Sequence, residues 1–229
     1  DDGRLGFEVY SRAEGPGAGA ERVHCSGSAE RVQAPPPALP ELLTAPAAQV
    51  GAMTKLDPAA CYADFAVMGI DYGPAHRALR RLAVQAPGAG PVLARIELPD
   101  SVAATLDAMP LHPSLLDAAL QAIIGLAPAG EARADQRPTL PYAVDRVDIH
   151  GPCTRAMWVL VMPSGEAAAV RKMDLVLADE AGAVRVVLHG FSSRVLTGGL
   201  AAEAAETLIY RPLWREAPVP AELPEPART

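Results

Sequence analysis

The first twelve residues alternate. Leu5, Phe7 and Val9 fall on one side of a two-residue period, with Gly6, Glu8 and Tyr10 on the other, the mark of a β-strand. Residues 15–20 read GPGAGA, a turn signal. Residues 21–32 then predict a returning strand, so the chain opens with a hairpin too small to carry its own core. From residue 33 the alternation stops. Pro35, Pro36, Pro37, Pro40 and Pro46 crowd one short stretch, and consecutive prolines remove backbone donors and favour extended polyproline geometry. Residues 34–57 therefore predict a semi-rigid linker.

Globular patterning begins at Asp57, a helix cap followed by Pro58 at the first helical position. Residues 76–84 and 91–98 predict strands around the turn sequence APGAG. Residues 111–126, LHPSLLDAALQAIIGL, have the length and period of a helix. Strands are predicted over 139–150, 155–163, 170–179 and 183–196, with DEAG at 179–182 as a hairpin turn between the last two. One helix followed by several long antiparallel strands predicts an α+β fold in which the helix lies on a curved sheet. Residues 199–207 predict a short helix. Residues 208–216, LIYRPLWRE, predict a strand that starts after the domain is finished, so the tail over 199–229 is expected to lead toward a downstream domain. There is no internal repeat.

Within the helical segment, Leu116, Leu120, Ile123 and Ile124 form an apolar stripe, and Ser114, Asp117 and Gln121 share a second face. A carboxylate in so apolar a stretch is costly to bury unless it is paired, exposed or functional. Two readings stay open for Asp117. It is a solvent-facing residue of an amphipathic helix, or it is an acid whose apolar surroundings keep it able to donate a proton near neutral pH. In the second reading Gln121, one turn on, orients the acid or hydrogen-bonds a substrate oxygen.

Composition narrows the function classes. Half of the 229 residues are hydrophobic but only 4% are aromatic, so the core must be built from Ala, Val, Leu and Ile. A net charge of −7 with dispersed basic residues argues against nucleic acid as a partner. The densest basic run, Arg77, Arg80 and Arg81, reads as a solvated face. No run of about 18 apolar residues offers a membrane span, and the N-terminus lacks a signal-peptide pattern, so a cytoplasmic location is expected. Cys25, Cys61 and Cys153 are odd in number and widely spaced, which predicts inert thiols and no zinc site. No phosphate loop or dinucleotide fingerprint occurs, so no cofactor of its own is expected.

Four segments together resemble one family. LHPSLLDAALQ is similar to the HPxLLDAxxQ motif of polyketide synthase dehydratases. GIDYGPAHRAL (residues 69–79) resembles their YGP motif, LPYAVDRVDIHG (140–151) the strand that follows the helix, and VLHGFSSRVL (187–196) the closing strand. Four motifs in the family's order are more specific than any one alone, and their wording is most similar to dehydratases of trans-acyltransferase synthases.

The resemblance implies a double hotdog fold, with residues 1–33 as the end of an N-terminal hotdog and 58–198 as a complete C-terminal hotdog. It implies Asp117 as the catalytic acid, with Tyr72, Gly73, Pro74 and Gln121 on the substrate side. It implies that water is eliminated from a β-hydroxyacyl chain carried on the phosphopantetheine arm of an acyl carrier protein, leaving an α,β-unsaturated thioester. Neighbouring synthase domains, a ketoreductase downstream among them, and a homodimer are the other implied partners; no metal is implied. The family's base is a histidine in an HxxxGxxxxP motif. None of His24, His76, His112, His150 or His189 stands in that context, so the chain is expected to begin partway through the first hotdog and to need the other half for activity. His76, in place of the family's common Phe, reads as a strand histidine, His112 as the start of the helix, Met157 and Trp158 as core, and Asp174 and Asp179 as solvated or turn residues. Double-bond isomerase, cyclic-ether synthase and non-catalytic scaffold are the alternative readings; Asp117 favours dehydration over isomerisation, because isomerase relatives often lack the acid.

Overall fold

A computed structural model of the chain describes residues 4–11, 21–31, 35–86, 89–127, 139–164 and 172–195. The helix and strand expected over 199–216 lie outside the described residues.

The opening hairpin forms as the alternation predicts. β1 (Leu5–Ser11) and β2 (Arg22–Ala29) pair antiparallel in a sheet of their own, with a register shift between Val9 and Tyr10. Every residue of both strands is exposed, Leu5, Phe7, Val9 and Val23 included. Phe7 lies over Gly27, where a Cβ would come within 2.7 Å of its ring.

The proline-rich stretch is only partly extended. Residues 35–40 carry no regular structure, but α1 (Glu41–Thr44), α2 (Pro46–Ala52) and β3 (Thr54–Leu56) follow. Pro40 precedes α1 and Pro46 begins α2, positions where a missing backbone donor costs nothing. What orders this half of the stretch is burial: Leu43 and Val50 are enclosed with Leu93, Trp158, Leu160 and Val176. α3 (Pro58–Val67) is capped as expected, the Asp57 carboxylate accepting the Ala59 N–H at 2.9 Å.

The main sheet has eight antiparallel strands. They comprise β3, β4 (Leu79–Ala86), β5 (Ala89–Glu97), β6 (Thr139–Ala143), β7 (Arg146–Ile149), β8 (Ala156–Ser164), β9 (Lys172–Asp179) and β10 (Val184–Val195). The order is β3-β4-β5-β8-β9-β10, and β10 pairs with both β6 and β7 along its outer edge. The single strand expected over 139–150 is thus broken at Val144 and Asp145. There the Asp145 N–H donates to the His189 carbonyl, and Gly190 takes a positive φ of +61°. A Cβ at Gly190 would collide with the Asp145 carboxylate. The 179–182 turn closes as its residues predict: Asp179 accepts the N–H groups of Ala181 and Ala183, and Gly182 supplies φ +84°. Asp179 is nevertheless buried and ion-paired to Arg185, not solvated.

Both faces of the sheet are covered. Along β5, β8 and β9, Val92, Ala94, Met157, Val159, Leu175 and Leu177 point into one cluster. The alternate residues Leu93, Trp158, Leu160 and Val176 point into the other, under α1 and α2. Two-sided burial explains why these strands read as near-continuous apolar runs. The first cluster holds α4 (Pro113–Gln121), which tightens into a 3-10 segment over Ala122–Leu126. The helical segment expected over 111–126 is therefore one element in two geometries.

Its inward face differs from expectation. Leu115, Ala118, Ala119 and Ala122 are fully enclosed; of the expected stripe Ile124 is buried, while Leu116, Leu120 and Ile123 are only partly so. Small residues let the helix approach the sheet closely, so the stripe of large residues did not mark the deepest side. Gly125 continues this close approach: a Cβ there would lie 2.8 Å from Val92 Cγ1 and 3.0 Å from Val84 Cγ1.

Candidate active site

His112 and Pro113 start α4. The His112 side chain caps the helix, its Nδ1 accepting the Ser114 N–H at 3.1 Å. Its Nε2 meets Thr105 Oγ1 at 2.9 Å, and the Thr105 hydroxyl donates to the Val102 carbonyl at 2.7 Å. With Nδ1 accepting and the threonine proton committed, Nε2 carries the ring proton. Burial holds this imidazole below the ordinary histidine pKa, and the nearby His76 pushes the same way.

One turn on, Asp117 is held on a single oxygen. His76 Nδ1 lies 3.0 Å from Asp117 Oδ2, and the Gln121 Nε2 donates to the same Oδ2 at 3.0 Å. The Asp117 side chain keeps 32% of its surface exposed and His76 keeps 45%. Asp117 is thus neither a freely solvated helix residue nor a buried one. It is half-buried and fixed on Oδ2, with no hydrogen-bond partner on Oδ1 among the described residues.

His76 is not in a strand. It ends a 3-10 turn, Pro74–His76, and the strand begins at Leu79. Pro74 opens that turn, and the His76 N–H closes it on the Gly73 carbonyl at 3.0 Å. Gly73 and Pro74 therefore act on the site by aiming His76 at α4.

Gln121 is buried and both ends of its amide have partners, with the Tyr72 phenol a further neighbour of the group. Nε2 donates to the His76 carbonyl at 2.9 Å as well as to Asp117, and Oε1 accepts the Tyr62 hydroxyl at 3.0 Å. Of the two roles open to Gln121, orienting the carboxylate fits this geometry, since one amide proton is directed at Asp117 and the other at the His76 carbonyl.

Tyr72 packs edge-on against Phe65 and Tyr62, with ring centroids 5.1 and 6.0 Å away. Its phenol is pushed up to about 12, by burial first, then by the Asp117 carboxylate and Tyr62, with a Gln121 hydrogen bond opposing. Arg77 lies over the Tyr62 ring at 5.4 Å and donates to the Tyr72 carbonyl at 2.7 Å, so this arginine is part of the site's frame and not only a solvated face. Tyr62 and the pairing of His76 with Asp117 were missed in the sequence. No periodicity signals either one, because each depends on the turn after α3 returning to α4.

Among the described residues, no group of three His, Cys, Asp or Glu side chains is placed to hold a metal ion. No described helix is long and apolar enough to cross a membrane. Cys61 and Cys153 are buried, whereas Cys25 on the hairpin is exposed.

A half-buried carboxyl anchored on one oxygen, with no partner on the other among the described residues, can exchange a proton on that second side. A family profile described as the polyketide synthase dehydratase N-terminal domain matches residues 40–203, a span that holds this whole arrangement. The chain belongs to the polyketide synthase dehydratase family. The polyketide synthase PksN of Bacillus subtilis is 35% identical over 199 residues, which is 87% of this chain and 3% of that protein. The crystal structure of a trans-AT PKS dehydratase domain from Brevibacillus brevis superposes with a TM-score of 0.72 at 33% identity, covering 86% of this chain and 67% of that one. The dehydratase domain of RzxB from Pseudomonas fluorescens gives a TM-score of 0.66 at 27% identity, covering 84% and 64%. The chain thus spans about two-thirds of these solved dehydratase domains and a small fraction of the curated synthase.

Proposed function

We propose that this chain supplies the acid half of a β-hydroxyacyl dehydratase site, with Asp117 as the proton donor. The observation that carries the reading is the double anchoring of the Asp117 carboxyl on Oδ2, which leaves Oδ1 without a hydrogen-bond partner among the described residues. In the proposed step a base removes the α-proton of a β-hydroxyacyl thioester held on an acyl carrier protein. The C–H electron pair becomes the new α,β double bond as the β-carbon–oxygen bond breaks. Hydroxide is a poor leaving group, so the Asp117 proton passes to the departing oxygen and water leaves. The carboxylate that remains recovers its proton before the next turnover.

The base in this reading is a histidine from outside these 229 residues, in the N-terminal half of a double hotdog, since no histidine here stands in the family's base motif. Tyr72, beside the carboxylate, lines the substrate side. The exposed apolar strands of the opening hairpin support reading it as part of an N-terminal hotdog. We place the reaction in the cytoplasm, within a multidomain synthase whose next domain is a ketoreductase.

The test is Asp117→Asn in a dehydratase-active assembly containing this chain, assayed by mass spectrometry for loss of water from a β-hydroxyacyl carrier protein. Asn keeps the shape but cannot donate an acidic proton, so turnover should fall at least about a hundredfold, the usual worth of a positioned acid. Turnover within about twofold of the unaltered enzyme would rule Asp117 out as the acid.

A further inference from the structure

The hydrogen bonds around Gln121 have only one consistent direction. A backbone N–H can only donate, and the Leu79 N–H points at the Tyr62 hydroxyl oxygen at 3.1 Å. The hydroxyl's own proton is therefore free to go to the remaining partner, Gln121 at 3.0 Å, which makes the facing amide atom the oxygen. At the other end the His76 carbonyl, 2.9 Å away, can only accept. It requires the nitrogen there. Two backbone groups of fixed polarity thus agree on the orientation of one buried side-chain amide, and the amide's second proton is aimed at Asp117 Oδ2.

We propose that Tyr62 is a positioning residue that locks Gln121 in this orientation, so that Oδ2 of Asp117 is an obligatory acceptor and Oδ1 carries the transferable proton. The inference rests on the reading of Asp117 as the acid. With Gln121 donating to Oδ2, a proton on that same oxygen would have to share its space with the amide hydrogen. His76 supports the same outcome: with Nδ1–H as donor it fills the second acceptor site of Oδ2. The acid proton is left on the one oxygen without a hydrogen-bond partner among the described residues. A flipped amide would present its oxygen to Oδ2, draw the carboxyl proton there, and turn it away from the substrate. Tyr62 prevents the flip from about one side chain's length away, without touching the reacting atoms. Its placement is secured by the aromatic contacts to Phe65 and Tyr72 and by Arg77 over its ring.

The experiment pairs a wild-type measurement with a variant. In the isotope-labelled 229-residue chain, side-chain amide NMR should show both Gln121 protons protected from exchange, with the His76 ring in its Nδ1–H tautomer. A rapidly exchanging Gln121 amide, or an Nε2–H tautomer of His76, overturns the inference without any mutant. Tyr62→Phe, in the dehydratase-active assembly, should lower kcat about tenfold with KM little changed, one neutral hydrogen bond's worth. In the same variant the Gln121 protection should be lost. A folded Tyr62→Phe variant with unaltered kcat, beside an inactive Asp117→Asn, overturns the role of Tyr62 and leaves the acid assignment standing. An active Asp117→Asn overturns both.

Discussion

His76 and Asp117, 41 residues apart in the chain, meet with Nδ1 3.0 Å from Oδ2. The contact joins the turn built on Gly73 and Pro74 to the middle of α4. It gives the carboxyl a second anchor beside Gln121 and fixes which of its oxygens faces outward. Removing the imidazole should loosen the acid without emptying the substrate side. His76→Ala is expected to lower kcat about 10- to 100-fold, the range for one hydrogen bond to a charged partner, with a small change in KM. His76→Asn, whose amide can donate from near the Nδ1 position, should recover part of that loss. Steady-state kinetics of the two variants check both statements.

Tyr72 should register in the alkaline stability of the fold. Its pKa is raised from 10.0 to about 12, by burial first and then by the Asp117 carboxylate. The folded state therefore holds a proton that the unfolded chain releases near pH 10. By linkage this contribution is full below pH 10 and is lost as pH rises toward about 12. Urea denaturation across that window should show a steeper decline for the unaltered chain than for Tyr72→Phe. Equal slopes would mean that Tyr72 is not buried against the site.

His112 should set the acid side. Its folded pKa lies below the ordinary histidine value, because burial disfavours the charged ring. The unfolded chain then takes up a proton that the folded chain resists. The contribution is fully present above about pH 6.5, the free histidine value, and fades as pH falls below it. His112→Asn keeps an acceptor at the helix cap but cannot titrate. Thermal denaturation between pH 7 and pH 5 should show a smaller loss of stability in this variant than in the unaltered chain.

Gly125 tests the close approach of the 3-10 segment to the sheet. A methyl group there would press within 2.8 Å of Val92 Cγ1, between two fully enclosed valines. Gly125→Ala should cost about 1–3 kcal/mol, the usual range for overpacking a filled core. Chemical denaturation reads it. Gly51→Ala, at a position with nothing within 4 Å of the new Cβ, is the control and should be neutral or slightly stabilising in its helix.

Much of the architecture is legible in the residues. The alternation of Leu5, Phe7 and Val9, the Asp57–Pro58 cap, the DEAG turn and the order of long apolar strands all follow from local rules that act within a few residues. So does the placement of Asp117 on a helix, with Gln121 one turn away. The four motifs resemble the dehydratase family, and the family whose profile matches residues 40–203 is the same one. Local rules failed where burial overrode them. Prolines predicted a linker through residue 57, but Leu43 and Val50 found a sheet face to cover. The stripe of Leu116 and Leu120 predicted the inward side of α4, but Leu115, Ala118 and Ala119 took it, the alanines permitting the closest packing.

The sequence by itself determined which elements form, in what order, and which carboxylate stands in an apolar helix, because these are matters of period, capping and motif. Only the tertiary structure decided what that carboxylate touches. His76, Tyr62 and the Leu79 N–H reach the site from a turn, a helix and a strand whose proximity is set by packing. The direction of each hydrogen bond among them follows from donors and acceptors that no spacing along the chain could have brought together.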